Sequence, residues 1–367
     1  MNQKKFKVGI IGATGMVGQR FALLLENHPW FDVKVLAASA RSAGKKYGDV
    51  VEGRWHMTKE LPEKYKDMVI VDAENVEEVA SKVDFCFCAV NMKKDEIKAL
   101  EEKYAKAECP IVSNNSAHRF TPDVPMVIPE INADHIKIIE DQRKRLGTKR
   151  GFVAVKSNCS LQSYLPAMAV INQKYPIDHA LVTTYQAISG AGKTFETWPE
   201  MVDNLIPYIG GEEMKSEVEP NKILGTIEGG EIVPSKELSI ECQTYRVPVS
   251  DGHTAAIFFS FKDGVEKPSV EEIENLWRAY KGVPQELELP HAPKQFIYVH
   301  TETEEPDMPQ IKTAREIDGG MAISCGRLRE STQYDYKMVS MSHNTLRGAA
   351  GGAVLLAELL TAKGWMD

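Results

Sequence analysis

The feature that most constrains this chain lies near its N-terminus, where a short apolar run leads into a glycine-rich turn. Phe6–Ile11 is typical of a strand, the turn contains Gly12 and Gly15, and residues 17–25 have helical spacing. Glycines at such a turn let the backbone approach a pyrophosphate, whose charge is held by amides at the helix N-terminus. A tight turn without a ligand is the alternative. The position between an N-terminal strand and a helix favours a dinucleotide site.

Strand and helix signals alternate over the first 120 residues. Apolar runs at Phe31–Ala38, 68–71, 83–90 and 110–113 are separated by charged stretches with helical spacing, such as 93–107. This alternation favours a parallel sheet covered by helices. After residue 152 the pattern changes, and 180–187, 242–249 and 255–261 resemble the longer strands of a mixed or antiparallel sheet. The segment 194–230 predicts loop with short helices, and 160–173 and 344–362 predict helices.

The predicted fold class is therefore α/β, with a Rossmann-type dinucleotide-binding domain and a mixed-sheet α+β catalytic domain. We expect the first domain to span residues 1–157 and the second to span 158–343. The C-terminal helix, 344–367, is expected to return to the first domain.

The end of the second predicted strand indicates which nicotinamide cofactor is bound. In NAD-binding domains an acidic residue there bonds the ribose 2′-hydroxyl, but the sequence after Leu36 reads AASARSAGKK. Arg41, Ser42 and Lys45 would instead hold a 2′-phosphate through charge-assisted hydrogen bonds. A solvated basic turn is the alternative. The pattern favours NADP(H), with use of NAD left open.

Charge and cysteine usage exclude several classes of function. The net charge is −8 and both signs are mixed along the chain, unlike the basic face that nucleic acid or an anionic membrane requires. No apolar run approaches the roughly 18 residues that span a bilayer. Six cysteines are sparse for 367 residues, and Cys86 and Cys88 fit buried packing on one strand face rather than a zinc site. We expect a cytoplasmic protein without disulfides or a metal site.

Three side chains are candidates for chemistry. Cys159 lies where a strand gives way to a predicted helix, whose dipole would favour the thiolate; a buried structural thiol is the alternative. His253 follows a turn glycine and would act as a general base toward the thiol, although an isolated turn histidine is more often an exposed bystander. Arg246, beside a strand, has the geometry to grip a carboxylate.

Five segments carry a more specific signal together than any of them does alone. GATGMVGQRF, SNCSLQ, QAISGAGK, RVPVSDGH and NTLRGAAGG occur in this order. In sequence and order they resemble the aspartate-semialdehyde dehydrogenase family over nearly the whole chain. The SNCSLQ and RVPVSDGHT versions are similar to its archaeal and fungal branch.

The resemblance implies a role for each matching residue. Cys159 would be the nucleophile that forms a thioacyl enzyme, with Asn158 positioning it, Gln186 orienting the acyl group and His253 as the acid–base catalyst. Arg246 would bind the substrate α-carboxylate, Glu219 its amino group, and Arg119 and Lys222 the phosphate. The cofactor would contact Gly12, Thr14, Gly15, Met16 and Val17 at the pyrophosphate, and Ser189, Gly190 and Asn344 at the nicotinamide. Glu219 and Lys222 compete with other charged residues of the segment 212–222.

The activity implied by the resemblance is the NADPH-dependent reduction of L-aspartyl 4-phosphate to L-aspartate 4-semialdehyde, with release of phosphate. A homodimer or homotetramer formed through the second domain is implied as well. A malonyl-CoA reductase using the same Cys, His and Arg is the main alternative, and acylglutamyl-phosphate reduction is a more distant one. From another class, a non-catalytic NADP-binding sensor on this fold would need neither Cys159 nor His253.

Overall fold

The computed structural model describes residues 5–301 and 310–367 and contains two large sheets. The first sheet has seven parallel strands in the order β3-β2-β1-β4-β5-β7-β6. Its strands are β1 Phe6–Ile11, β2 Phe31–Ala38, β3 Val71–Asp72, β4 Phe85–Cys88, β5 Ile111–Ser113, β6 Met126–Val127 and β7 Val153–Lys156. The strand order reverses direction at β1, and ligands of such sheets bind beyond the carboxyl ends of the strands at this point.

The second sheet has six strands in the order β11-β8-β12-β15-β14-β13 and mixes parallel with antiparallel pairs. A separate two-stranded ribbon consists of β9 and β10. The strands are β8 Ile177–Gln186, β9 Thr226–Glu228, β10 Glu231–Val233, β11 Ser239–Arg246, β12 His253–Phe261, β13 Ile297–His300, β14 Ile323–Glu330 and β15 Tyr336–Ser342. The predicted combination of a parallel dinucleotide-binding sheet and a mixed sheet is confirmed.

Helices cover the sheets and connect them. They are α1 Met16–Leu25, α2 Tyr47–Val51, α3 Glu63–Lys66, α4 Val76–Ala80, α5 Lys94–Lys106, α6 Ile139–Leu146, α7 Leu165–Asn172, α8 Glu212–Ile223, α9 Val270–Ala279, α10 Val283–Glu286, α11 Ile311–Ala314 and α12 Gly351–Ala362. Short 3-10 helices lie at Ala133–Ile138, Leu161–Ser163, Ile188–Ala191, Pro199–Met201 and Ile317–Gly320, and a π-helix lies at Leu346–Ala350. Within the described ranges, no helix is both long and apolar enough to cross a bilayer.

Three helical predictions need correction. The segment 194–230, predicted as loop with short helices, contains the twelve-residue α8. The predicted helix 160–173 is broken, because Tyr164 adopts a non-helical backbone between the 3-10 helix and α7. The predicted helix 344–362 begins with the π-helix before α12.

The C-terminal helix α12 is part of the core of the first sheet. Its residues Gly351–Leu360 are all buried, as expected for a helix that is apolar all round. It contacts β5, β7 and α1. The last segment of the chain therefore packs on the parallel sheet, and the π-helix that precedes it contacts α1 and the 3-10 helix Leu161–Ser163.

A buried cluster fastens α12 to two other segments. Glu358 Oε1 lies 2.8 Å from His28 Nε2 and 2.6 Å from His291 Nδ1. His28 Nδ1 accepts the amides of Trp30 and Phe31, both at 3.1 Å, so its neutral ring carries its proton on Nε2. That proton excludes Nε2 as a metal ligand, although the three groups have the spacing of a metal site. Burial alone would raise the pKa of Glu358, but the bonds from His28 and His291 leave it below its ordinary value.

Candidate active site

The strand register of the second sheet brings three predicted side chains to one edge. Gln186, the last residue of β8, pairs with Arg246, the last residue of the parallel β11. It also pairs with His253, the first residue of the antiparallel β12. Alternate residues of β12 are buried, beginning with His253, so its side chain points to the core face. Next to it, β15 ends at Ser342, and Asn344 follows two residues later.

The segment that contains Cys159 follows β7 and is held by two carboxylates of α8. Asn158 N donates to Glu219 Oε2 at 2.7 Å, and Asn158 Nδ2 donates to Glu212 Oε2 at 2.9 Å. The Asn158 side-chain oxygen accepts from both the amide and the hydroxyl of Ser160. These bonds fix the loop on either side of Cys159.

Cys159 faces His253 across the interface of the two sheets. The distance from Cys159 Sγ to His253 Nε2 is 3.5 Å. His253 Nδ1 accepts the amide of Ala187 at 3.1 Å, so the neutral ring carries its proton on Nε2 and presents a donor to the sulfur. Burial, with help from Arg246, lowers the pKa of His253 to about 3. The ring is therefore neutral at physiological pH, and this geometry favours a hydrogen-bond donor over the predicted general base.

Opposing effects act on the thiol. Burial and the Glu212 carboxylate raise the pKa of Cys159 above its ordinary value, while Lys156, Arg119 and Arg246 act to lower it. Arg246 Nη1 donates to Ala187 O at 2.8 Å, which leaves its other N–H groups for a ligand. The cations around the sulfur are thus the groups that favour the thiolate.

Arg119 and Glu219 form a buried ion pair beside the segment of Cys159. Arg119 Nη1 lies 2.8 Å from Glu219 Oε1, and the two side chains are 6% and 0% exposed. Both oxygens of Glu219 are therefore occupied, one by Arg119 and one by Asn158 N. Glu219 is fully buried and holds Arg119 and the Asn158 amide in place. Its contact with the amino group of a substrate stays a prediction.

Lys222 also differs from its predicted place. Its amine donates to the main-chain carbonyls of Thr121 and Val124 at 2.6 and 2.7 Å, and it does not line the cleft at Cys159. Lys215, two turns earlier in α8, does line that cleft and is paired with Glu212 at 2.6 Å. The sequence reasoning missed Glu212 and Lys215, although their E-x-x-K spacing repeats that of Glu219 and Lys222.

The cleft at Cys159, which we term the cysteine cleft, has a volume of about 270 Å³. Seven of the predicted residues line it, namely Val17, Arg119, Asn158, Cys159, Ser189, Gly190 and Asn344. Val17 comes from the first turn of α1. Asn344 Nδ2 donates to Ser189 Oγ at 2.9 Å, and its Oδ1 accepts the amide of Gly252 at 2.7 Å. Lys156 is a further lining residue that the sequence reasoning did not single out.

A second cleft, the glycine-turn cleft, opens at the carboxyl ends of β1 to β4. It has a volume of about 560 Å³ and is lined by Gly12, Thr14 and Gly15 together with residues after the next three strands. A Cβ added to Gly12 would lie 2.4 Å from Ala89 O, and φ there is +88°. Only glycine fits this position, because the turn packs directly against Ala89. The turn brings the chain to the start of α1, where amides would hold a pyrophosphate. Met16 is the first residue of α1 and does not line this cleft.

The glycine-turn cleft continues into a basic extension of about 490 Å³. Arg41, Ser42, Lys45 and Arg54 line it, together with one carboxylate, Asp49. Three cationic side chains and a hydroxyl suit a 2′-phosphate. Arg54 comes from the loop after α2 and could not be assigned to this site from its position in the sequence.

Two family models match most of this chain. The family model described as "Semialdehyde dehydrogenase, NAD binding domain" matches residues 7–139, and that described as "Semialdehyde dehydrogenase, dimerisation domain" matches residues 168–347. Aspartate-semialdehyde dehydrogenase of Candida albicans is 41% identical, over 97% of this chain and 98% of its own. That of Methanothermobacter thermautotrophicus is 39% identical, over 96% and 98%.

Solved structures are similar as well. The crystal structure of the Candida albicans aspartate-semialdehyde dehydrogenase with NADP aligns with a TM-score of 0.88 at 40% identity, covering 99% of this chain and 100% of the other. The Vibrio cholerae aspartate-semialdehyde dehydrogenase II aligns with a TM-score of 0.74 at 23% identity over 99% and 100%, which extends the likeness of fold to a distant sequence.

Proposed function

The chain belongs to the aspartate-semialdehyde dehydrogenase family, and from this premise we propose that it reduces L-aspartyl 4-phosphate to L-aspartate 4-semialdehyde with NADPH, releasing phosphate. One observation carries the proposal. Cys159 Sγ lies 3.5 Å from His253 Nε2, and Arg119 and Lys215 line the cysteine cleft together with Cys159. A nucleophile, a donor and two cations are the groups that an acyl phosphate requires.

The first half of the reaction is acyl transfer to sulfur. The Cys159 thiolate attacks the acyl carbon, the C–O bond to phosphate breaks, and a thioester remains on the enzyme. Arg119 and Lys215 hold the departing phosphate charge. Lys215 replaces the predicted Lys222 because it is the lysine of α8 that lines the cysteine cleft.

The second half returns the thiolate. Bound NADPH supplies a hydride to the acyl carbon. The Nε2–H of His253 then donates to the sulfur as the C–S bond breaks and the aldehyde forms. This sequence consumes no proton at Cys159, which agrees with a neutral His253 that acts as a donor.

Substrate orientation follows from the groups around the sulfur. We assign the α-carboxylate to the free N–H groups of Arg246, and the α-amino group to Glu212. Glu212 Oε2 lies 3.5 Å from Gln186 Nε2, beside the predicted acyl-orienting residue. The Glu212 side chain is 11% exposed, whereas that of Glu219 is fully buried. Gln186 is buried at the end of β8, next to both groups.

We assign NADP(H) to the glycine-turn cleft and its basic extension. Gly12, Thr14 and Gly15 would hold the pyrophosphate end, and Val17 would contact the cofactor from the cysteine cleft. Arg41 and Ser42, with Lys45 and Arg54, would hold the 2′-phosphate. The nicotinamide would be approached by Ser189, Gly190 and Asn344, because these residues line the cysteine cleft.

We further propose a homodimer or homotetramer formed through the second sheet, consistent with the matched dimerisation domain. Tyr185 and Tyr245 stack at 5.9 Å on the outer side of β8 and β11, and Tyr185 is 37% exposed. Light scattering of the purified protein reports the subunit number directly.

All six cysteines are free, which supports a reducing, cytoplasmic location.

The test of the proposed function runs the reaction in reverse. The purified protein is given aspartate semialdehyde, NADP⁺ and phosphate, and NADPH formation is followed by absorbance. We expect turnover that requires phosphate and is lost in Cys159→Ser. A parallel assay supplies malonyl-CoA and NADPH. Turnover confined to malonyl-CoA would contradict the proposal, and binding of NADP without any turnover would favour a sensor.

A further inference from the structure

Lys156 is a buried cation that the proposed mechanism leaves without a role. It is the last residue of β7, a strand whose four residues are all buried, and only 2% of its surface is exposed. A lysine is rarely buried without a partner of opposite charge, because desolvation of the ammonium is costly. The group that offsets the charge of Lys156 should therefore indicate the role of this residue.

The contacts of Lys156 place its amine next to the nucleophile. Lys156 Nζ donates to the main-chain carbonyl of Gly348. Gly348 itself packs on Cys159, since a Cβ added there would lie 3.0 Å from the Cys159 Cβ and 3.1 Å from its carbonyl oxygen. Lys156 and Cys159 both line the cysteine cleft. Gly348 thus contacts both the Lys156 amine and Cys159, and both side chains border the cysteine cleft.

No carboxylate in residues 5–301 and 310–367 lies within the 4.0 Å ion-pair distance of Lys156 Nζ. The two acidic side chains of this region have other partners. Glu219 bonds Arg119 and Asn158 N, and Glu212 bonds Lys215 and the Asn158 amide. The remaining anion that faces Lys156 is the thiolate of Cys159.

We propose that Lys156 is a positioning residue that carries the positive charge against the Cys159 thiolate. The proposal deepens the proposed function and rests on the role given there to Cys159. The ionised pair forms when the S–H bond of the thiol breaks and an N–H bond forms on the neutral amine, so the net charge of the pair does not change. Such a partner is needed because His253 already holds a proton on Nε2 and does not accept another there.

The thiolate and the ammonium favour each other's ionised form, although burial opposes the ionisation of both. Burial, together with Arg119, lowers the pKa of Lys156 to about 7, while Cys159, Glu219 and Glu212 act to raise it. The amine therefore changes its charge near neutral pH, and the positive charge beside the Cys159 sulfur changes with it. The other charged or titratable groups facing the pair are Arg119 after β5, Glu212, Lys215 and Glu219 on α8, Arg246 on β11 and His253 on β12.

The test measures the rate at which iodoacetamide alkylates Cys159 as a function of pH, located by peptide mapping. The other five cysteines are buried. Lys156→Gln removes the charge but keeps a donor for the Gly348 carbonyl. We expect the midpoint of its profile to rise by about one pH unit, with a rate near pH 7 about tenfold lower and an unchanged alkaline plateau. Lys156→Arg restores a positive charge and is expected to recover most of the rate near neutral pH.

Lys222→Gln is the matched control. Lys222 is also a buried lysine bonded to carbonyls, but outside the cysteine cleft, so the alkylation profile should stay at the wild-type midpoint. An unshifted midpoint in folded Lys156→Gln overturns the inference. Alkylation of Cys159 requires no substrate and therefore tests the inference separately from the enzymatic activity. A shifted midpoint in a protein that does not turn over aspartate semialdehyde would contradict the proposed function and leave the inference standing.

A second measurement needs no change at Lys156. The ionisation of Lys156 is followed by NMR of its side chain in the wild type and in Cys159→Ala. Loss of the thiolate removes an anion that favours the ammonium, so the titration midpoint of Lys156 should fall in the variant. Equal midpoints would overturn the inference even if Lys156→Gln did not fold.

Discussion

The ion pair between Glu219 and Arg119 allows a sharp prediction about how the site is held together. Glu219 is fully buried and accepts from Arg119 Nη1 at 2.8 Å and from Asn158 N at 2.7 Å. In Glu219→Gln, the amide has one oxygen and one NH₂ group where the carboxylate has two oxygens. One of the two donors then faces a donor, and the Arg119 guanidinium loses its counter-charge.

The lost hydrogen bond and the lost counter-charge are both buried, and burial determines how much each loss reduces the free energy of unfolding. Removing one partner of a buried ion pair typically costs about 3–5 kcal/mol, because the other charge remains desolvated and unpaired. We therefore expect Glu219→Gln to lower the free energy of unfolding by about 3 kcal/mol or more. Displacement of the Asn158 amide also moves the adjacent Cys159, and a shift of about 1 Å at a reacting atom costs on the order of 100-fold in rate.

Urea denaturation and kcat measured on the same samples provide the assay. Glu217→Gln is the matched control in α8, because Glu217 accepts one amide, that of Cys242 at 3.2 Å; its expected cost is about 1 kcal/mol. The double variant Glu219→Gln with Arg119→Met should regain part of the stability, since no unpaired charge remains, but not the activity. A Glu219→Gln protein within about 1 kcal/mol of wild type would refute the reasoning.

Three further predictions test other parts of the fold. Gly18→Ala should fail to fold or melt far below wild type, since its Cβ would lie 2.2 Å from a carbonyl of the glycine turn, whereas Gly15→Ala, with 3.7 Å of space, should fold normally in circular dichroism melts. Arg41→Ala should raise the KM for NADPH about tenfold or more and leave that for NADH unchanged, because the lost contact is to the 2′-phosphate. The lowered pKa of Glu358 means that its stabilising contribution is present above the ordinary value of 4.5 and is lost as the pH falls through the folded-state value. Glu358→Gln should therefore be less stable than wild type by about 3 kcal/mol at pH 7 in urea denaturation, with the difference shrinking toward pH 4. The lowered pKa of His28 adds a loss of wild-type stability that begins as the pH falls through 6.5.

The parallel sheet could be predicted well because its signals are local. The runs predicted as the first two strands coincide with β1 and β2, since a strand buried on both faces is a continuous apolar run. The glycine turn was equally readable, because Gly12 has a positive φ and a side chain at Gly18 would collide with the Gly12 carbonyl. Each of these features depends on residues that are close in sequence.

The assignment of the substrate groups on α8 could not be made in the same way. The pairs Glu212 with Lys215 and Glu219 with Lys222 have the same spacing and lie seven residues apart. Seven residues are nearly two full helical turns, so both pairs project from about the same face and differ by roughly 10 Å along the axis. The packing of α8 against Asn158 and Thr121 decides which pair reaches Cys159, and those contacts are far apart in sequence.

The groups that stabilise the thiolate in the structure also differ from the helix dipole that the sequence predicted. A helix dipole was the predicted cause, but the helix after Cys159 is a three-residue 3-10 turn that ends at a non-helical Tyr164. Its dipole is short, while burial and Glu212 raise the pKa of the thiol. Side-chain cations must therefore favour the thiolate. An acyl phosphate brings its own negative charge into the same cleft, and Arg119 and Lys215 are the cations placed to offset it. A cation apart from these two, such as Lys156, is then needed to keep the sulfur ionised while the phosphate is bound.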